Sequence, residues 1–300
     1  MSSPGEKRIL VLGAAGFFGD WIARDLEAAG HRVDRSTRES GGDLLDAAGL
    51  RRLVADVGPE AVVNAAGMTS PAQAMKDPAG CFAVNAGGVV NLLEALRMEA
   101  PEARLVALSS AAVYGGEPPF GEGAPTDADT PYAASKLAME VVCRQYLRGD
   151  GRPVAVLRSF NLTGPGEPAT QATSEFCQAA LDAGAGERAE VKVGEPSTAR
   201  DFTDVRDAAR AVRLVIETGA TGTLNLCSGN ATSLTELARI IGGLTGAQLV
   251  LRGSGTGRPA SGLLTVEGDP TLLREATGWR PEIGLERSLG DLIASLQERD

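Results

Sequence analysis

The sequence predicts an α/β protein, a doubly wound parallel sheet with a smaller mixed α/β domain laid over it. Three observations predict it. Short apolar runs alternate with amphipathic stretches from the start, a glycine-rich turn joins the first strand to the first helix, and the alternation breaks near residue 162 into Gly/Pro-rich loops. Strands that alternate with helices over short connections lie parallel, with helices covering both faces. A chain of 300 residues makes one large domain or two small ones, and its apolar fraction of 43% supports a sizeable core.

The first strand is Arg8-Ile-Leu-Val-Leu12, an apolar run short enough for a buried strand. Gly13-Ala-Ala-Gly16-Phe-Phe-Gly19 follows and opens a helix from about Gly16 to Ala29. Glycines permit a tight turn and close backbone approach, and a helix start presents free N–H groups to a pyrophosphate. After the first strand of an alternating pattern, Gly13, Gly16, Phe17, Phe18 and Gly19 read as the phosphate loop of a Rossmann-type sheet. The second strand, counted from Val33, ends near Ser36 to Arg38 in His31-Arg-Val-Asp-Arg-Ser-Thr-Arg38. An acid there would hold the adenosine 2′-hydroxyl, whereas arginine accommodates a 2′-phosphate. Arg38 therefore favours NADP over NAD, and a shorter strand would put Asp34 in the NAD-selecting place. His31, just before this strand, reads as a surface residue.

Ala61-Val-Val-Asn64, Leu105-Val-Ala-Leu108 and Val154-Ala-Val-Leu157 are the next strands, with helices around 78–99 and 131–148 between them. Thr223 to Leu226 returns to the main sheet. The nucleotide-binding domain then comprises residues 1–162 and about 202–228. A substrate domain takes about 163–201 and 229–300.

Composition excludes several classes. A formal charge of −10 disfavours nucleic acid or an anionic membrane as the main partner. Cys81, Cys143, Cys177 and Cys227 are widely spaced, without a CxxC pair, and the chain has one histidine. Neither a metal site nor a disulfide framework is expected. No run approaches 18 continuous apolar residues and no secretory pattern follows the N-terminus, so the expectation is a cytoplasmic protein.

The chemistry gathers in Asp129-Thr-Pro-Tyr-Ala-Ala-Ser-Lys136. Thr130 suits a helix cap and Pro131 its first turn. Tyr132 and Lys136, four residues apart, stack on one helix face. A phenol beside an ammonium has a lowered pKa, because the cation favours the phenolate. That pair would suit general acid–base work.

With Gly13-x-x-Gly-Phe-x-Gly19, Ser109-Ser-Ala-Ala-Val-Tyr-Gly115 and Tyr132-Ala-Ala-Ser-Lys136 in order, the chain resembles the extended short-chain dehydrogenase/reductase family over nearly its whole length. The resemblance implies that Ser110 hydrogen-bonds the substrate oxygen, that Tyr132 is the acid–base residue, and that Lys136 tunes it and holds the nicotinamide ribose. It also implies that Asp43 and Leu44 contact the adenine, and that Ala65, Ala66, Gly67, Asn85 and Phe160 line the cofactor. Arg158-Ser-Phe-Asn-Leu-Thr-Gly-Pro-Gly166 and Ala199-Arg-Asp-Phe-Thr-Asp204 look like the nucleotide-sugar branch, most similar to its GDP-4-keto-6-deoxymannose reductases. On that likeness Asn161, Arg200 and Arg258 hold a sugar diphosphate, and the helix bearing Tyr132 pairs with its twin in a homodimer. For Arg200 the competing reading is an ion pair with Asp201 or Asp204. The stripe Leu137, Met139, Val141, Val142 and Tyr146 on the same helix otherwise reads as core.

Two departures narrow the expectation. Dehydratases of this family carry an acidic pair where this chain has Ala111 and Ala112, so water elimination is disfavoured. Relatives place a ribose-binding acid after the position of Arg258-Pro259, where this chain has Ala260-Ser-Gly262. The expected activity is reduction of a 4-keto group on a nucleotide-linked 6-deoxyhexose. The rivals are a 4-epimerase with tightly held NAD, a ketoreductase acting on a non-nucleotide intermediate, and an NADP-responsive regulator.

Overall fold

The computed structural model describes residues 5–149, 151–253 and 263–298. Its centre is β1 (Arg8–Leu12), buried throughout from Ile9 to Leu12. There follow α1 (Phe17–Ala28), β2 (Arg32–Ser36), α2 (Ala47–Val57), β3 (Ala61–Asn64), α3 (Pro71–Lys76), α4 (Pro78–Phe82) and α5 (Gly88–Glu99). Next come β4 (Arg104–Ser110), α6 (Pro131–Gly149) and β5 (Val154–Ser159). The six parallel strands run β2-β1-β3-β4-β5-β9, the last being β9 (Gly222–Leu226), reached through α8 (Val205–Thr218). From β1 the chain steps to β2 on one side and to β3 on the other. A crevice therefore opens beyond the carboxyl ends of these strands, where ligands of such sheets bind.

Two cores follow from the two faces of the sheet. One packs Ile22 and Leu26 of α1 and Val212 and Val215 of α8 against Ile9, Val11 and Val63, with the fully buried Trp279 beside them. The other packs Leu50 of α2, Leu92 and Leu96 of α5 and Met139 of α6 against Leu10, Leu12 and Val62. The helical run Pro78–Glu99 is long and apolar enough to cross a membrane by length and composition. In the fold, its residues Val89, Leu92, Leu93 and Leu96 belong to this second core.

The remaining elements are β6 (Asn161–Thr163), α7 (Ala172–Ala183), β7 (Arg188–Val193), β8 (Ala199–Asp204), β10 (Ala231–Ser233), α9 (Leu234–Thr245), β11 (Gln248–Gly253), β12 (Thr265–Val266), α10 (Thr271–Thr277) and α11 (Leu285–Gln297). β8 pairs with β6, β10 and β12, and β7 pairs with β11. Phe176, Leu237, Leu289 and Leu292 on α7, α9 and α11 form a third core with Val191 and Phe202.

His31 is not a surface residue. It is 6% exposed, accepts the Lys7 N–H at 3.3 Å through Nδ1, and lies 3.2 Å through Nε2 from Glu217 on α8. The chain turns just before it at Gly30, whose φ is +89°.

Candidate active site

A cleft of about 1180 Å³ lies over the carboxyl ends of the main strands, and nearly every residue singled out in the sequence lines it. Its floor at one end is the loop Gly13–Gly19. Gly13 has φ of +79°, and a Cβ there would sit 2.7 Å from the Ala65 backbone. A Cβ on Gly19 would approach the Gly13 carbonyl to 2.2 Å, so the glycine lets α1 dock on β1. Gly16 leaves the start of α1 without a side-chain cap, as α5, α7, α10 and α11 also begin without one. Unsatisfied N–H groups at a helix start, reached over glycines, are a fitting seat for a pyrophosphate.

β2 ends at Ser36, whose carbonyl accepts the N–H groups of Gly13 and Ala14. Thr37 and the exposed Arg38 follow directly and line the cleft, while Asp34 is exposed two residues back and does not line it. Thr37, which the sequence reading passed over, occupies the position next to the strand end. Asp43 and Leu44 also line the cleft. The Leu44 carbonyl accepts the Asn91 amide at 2.9 Å, and Asp43 accepts the Leu45 N–H at 2.9 Å, so this short turn is fixed.

The opposite wall is α6. Thr130 caps it, accepting the Ala133 N–H at 3.2 Å, and Pro131 is its first residue. Tyr132 and Lys136 face the cleft together with Ser110 at the end of β4. Burial pushes the Tyr132 phenol above its ordinary value, and a hydrogen bond with the Ser110 hydroxyl pulls it partly back. The lowering expected from a neighbouring ammonium does not appear, since Lys136 is not among the groups that shift the phenol. Lys136 is itself 6% exposed, donates to the Leu108 carbonyl at 2.8 Å, and is pulled down to about 8 by desolvation.

Ser110 accepts the Ala112 N–H at 3.2 Å and so caps the short turn Ala111–Val113. Both alanines line the cleft and bring no titratable group to it. Ala65, Ala66 and Gly67 line it as expected, but Asn85 stands behind them. Its amide donates to the Met68 carbonyl and the Ser135 hydroxyl, and its Oδ1 accepts the Met68 N–H at 2.8 Å. Asn85 thus supports the loop rather than facing the cavity.

Toward the small sheet, Phe160, Asn161 and Arg200 line the cleft, joined by Met68, Tyr114 and Gln171, which the sequence reading did not single out. Arg200 does not fork onto the acids beside it. Its guanidinium donates to the carbonyls of Ala199, Leu263 and Leu264, while Asp201 accepts N–H groups of Ser228 and Gly229 and Asp204 pairs with Arg206 at 2.8 Å. Arg258 and the segment Ala260-Ser-Gly262 lie outside the described residues.

Comparison with known proteins agrees with this geometry. The GDP-6-deoxy-D-mannose reductase of Pseudomonas aeruginosa is 30% identical over 308 residues, covering 98% of each chain. A UDP-glucose 4-epimerase of Mycolicibacterium smegmatis is 30% identical over 315 residues, covering 95% of this chain and 97% of its own. Among solved structures, RMD from Pseudomonas aeruginosa complexed with NADPH superposes with a TM-score of 0.84 at 29% identity, over 98% of this chain and 100% of that one. The Thermus thermophilus UDP-glucose 4-epimerase complex with NAD gives 0.83 at 27%, over 97% and 99%. Residues 9–227 match the model of the NAD dependent epimerase/dehydratase family, and with the sheet, the glycine loop and the Ser110–Tyr132–Lys136 cluster in place, the chain belongs to that family.

Proposed function

We propose that this protein reduces the 4-keto group of a nucleotide-linked 6-deoxyhexose, a GDP sugar in the first instance, with NADPH as reductant. The observation that carries the reading is the meeting of Ser110, Tyr132 and Lys136 at one wall of the cleft, opposite the uncapped start of α1. Bound NADPH supplies the hydride. Tyr132, kept protonated by burial, delivers a proton to the carbonyl oxygen. Ser110 donates a hydrogen bond to that oxygen, and the Lys136 ammonium stabilises the phenolate that remains. Arg200 and Asn161 on β8 and β6 hold the diphosphate side of the substrate, with Arg258 as a further cation. The elements around β8 and β7–β11 serve as the substrate-binding lobe.

Two features support reduction over the alternatives. Ala111 and Ala112 give the cleft no acid–base pair to remove water from the sugar. Thr37 and Arg38 at the end of β2 suit a 2′-phosphate, and NADPH, consumed at each turnover, must be exchanged. An epimerase would instead keep its NAD through the cycle. We also assign a homodimer to the protein, formed across α6, where Val141 is 52% exposed.

Purified protein should oxidise NADPH in proportion to added GDP-4-keto-6-deoxymannose and carry no retained NAD. Tyr132→Phe should cut kcat by about 10²–10⁴ while leaving the thermal shift given by NADPH intact. Turnover near wild type in that variant refutes the assignment of the proton donor. Epimerisation of a UDP sugar without added cofactor would replace the reductase reading by the epimerase one.

A further inference from the structure

We infer that Glu140 is a positioning residue for the reaction helix: its carboxylate locks α6 onto β4 and β5 and keeps Lys136 cationic. The inference rests on the reductase reading for what Lys136 does, but not for the contacts themselves. Tyr132, Lys136 and Glu140 recur every four residues and so share one face of α6. Three consecutive residues of β4 meet them. The Ser110 hydroxyl hydrogen-bonds Tyr132, the Leu108 carbonyl accepts from Lys136, and the Ser109 hydroxyl donates to Glu140 at 2.6 Å.

Glu140 is fully buried, and Arg158 of β5 forks onto it, Nε at 2.9 Å and Nη2 at 2.7 Å. A buried ion pair seldom adds net stability over packed hydrocarbon. What this pair adds is charge and direction. The same guanidinium donates to the Glu122 carbonyl at 3.1 Å and lies 4.7 Å over the ring of Tyr114, which lines the cleft. The ion pair therefore ties the reaction helix to the cleft wall.

The charge argument depends on what else faces Lys136. Cys81 comes from α4 and Cys143 from α6 itself, both as buried thiols, and burial holds Cys143 up to about 12. Tyr132 is a neutral phenol held up by burial. Behind desolvation and the two cysteines, Glu140 is the carboxylate among the groups that raise Lys136, and Arg158 is the cation paired with it at 2.7 Å.

The chain has four lysines, Lys7, Lys76, Lys136 and Lys192, so protein labelled with ¹³Cε-lysine gives four titration curves, and Lys136→Arg assigns one. Without added cofactor, the Lys136 midpoint in the wild type should lie near 8. In Glu140→Gln it should fall by about one pH unit or more. The kcat with NADPH should fall by about 10–100-fold, with KM for NADPH little changed. If the single variant does not fold, Glu140→Gln/Arg158→Gln removes both charges, and its midpoint must still fall below that of the wild type. An unmoved midpoint, or wild-type kcat in a folded variant, overturns the inference. So does loss of the fold in both variants, which would make the pair a folding element. Failure of the reductase reading appears in the wild type alone, as no NADPH oxidation with any keto sugar, and leaves the lysine titration readable.

Discussion

Lys136 is caught between two demands. In the proposed reaction its amine must be cationic to stabilise the Tyr132 phenolate, yet it sits 6% exposed where desolvation disfavours the charge. The compromise is a midpoint of about 8, which leaves the residue protonated at neutral pH. Tyr132 moves the other way, its phenol held up by burial, so it keeps its proton well beyond the point at which Lys136 loses its own. The first group to fail on raising the pH is therefore the lysine. The kcat/KM for NADPH, which reports the free enzyme, should fall above about pH 8 in the reductive direction. Lys136→Arg, slower at its best, should show no limb there, because a guanidinium does not titrate in that range. A limb that persists unchanged in Lys136→Arg would assign it to another group.

At the scale of elements, the joint between β1 and α1 is the proposed pyrophosphate seat. Gly13→Ala would put a Cβ 2.7 Å from the Ala65 backbone at a φ of +79°, so β1 and β3 must part or the loop must flatten. The expected cost is about 1–3 kcal/mol of stability, together with loss of the melting-temperature rise on adding NADPH. A variant that retains the full rise would show that the loop is not the pyrophosphate seat. This joint was legible in the sequence because it is local: an apolar run, three glycines at fixed spacing and a helix. The β1, β3 and α6 boundaries were legible for the same reason, each marked by an apolar run or by the Thr130-Pro131 start signal. What sequence reasoning missed depends on partners distant along the chain. His31 is buried because Glu217, 186 residues on, comes to meet it. Asn85 turns away from the cleft because Met68 and Ser135 satisfy its amide. The direction of the Tyr132 shift was misjudged because spacing along a helix reveals the nearby lysine but not the depth of burial. The competing reading of Arg200 as an ion pair with Asp201 fails on the same kind of distant partner, since each serves a different loop.

At the scale of the whole molecule, the site draws on the stability of the fold that holds it. Both faces of the sheet are closed by apolar cores, and into the rim of one of them the protein sets an ammonium, a carboxylate and a guanidinium. The lysine's share of that cost can be isolated by pH. Its folded-state midpoint of about 8 lies below its ordinary value of 10.5, so between the two the unfolded chain binds more protons than the folded one. Stability must then rise with pH across that window. Below about 8 the residue is charged in both states and the full cost of burial stands, about 3 kcal/mol; above 10.5 it is neutral in both and the cost is gone. Buried thiols work in the opposite sense, since Cys143 and Cys177 are held up to about 12 and resist ionisation as the unfolded chain gives up its protons. Comparing the wild type with Lys136→Met cancels them. Urea unfolding should find Lys136→Met the more stable protein at pH 7 by up to about 3 kcal/mol, with the gap closing as the pH approaches 10.5, and the variant should be inactive throughout. A gap that stays constant from pH 7 to 10.5 would mean that Lys136 titrates alike in the folded and unfolded chains, so that packing, not charge, separates the two proteins.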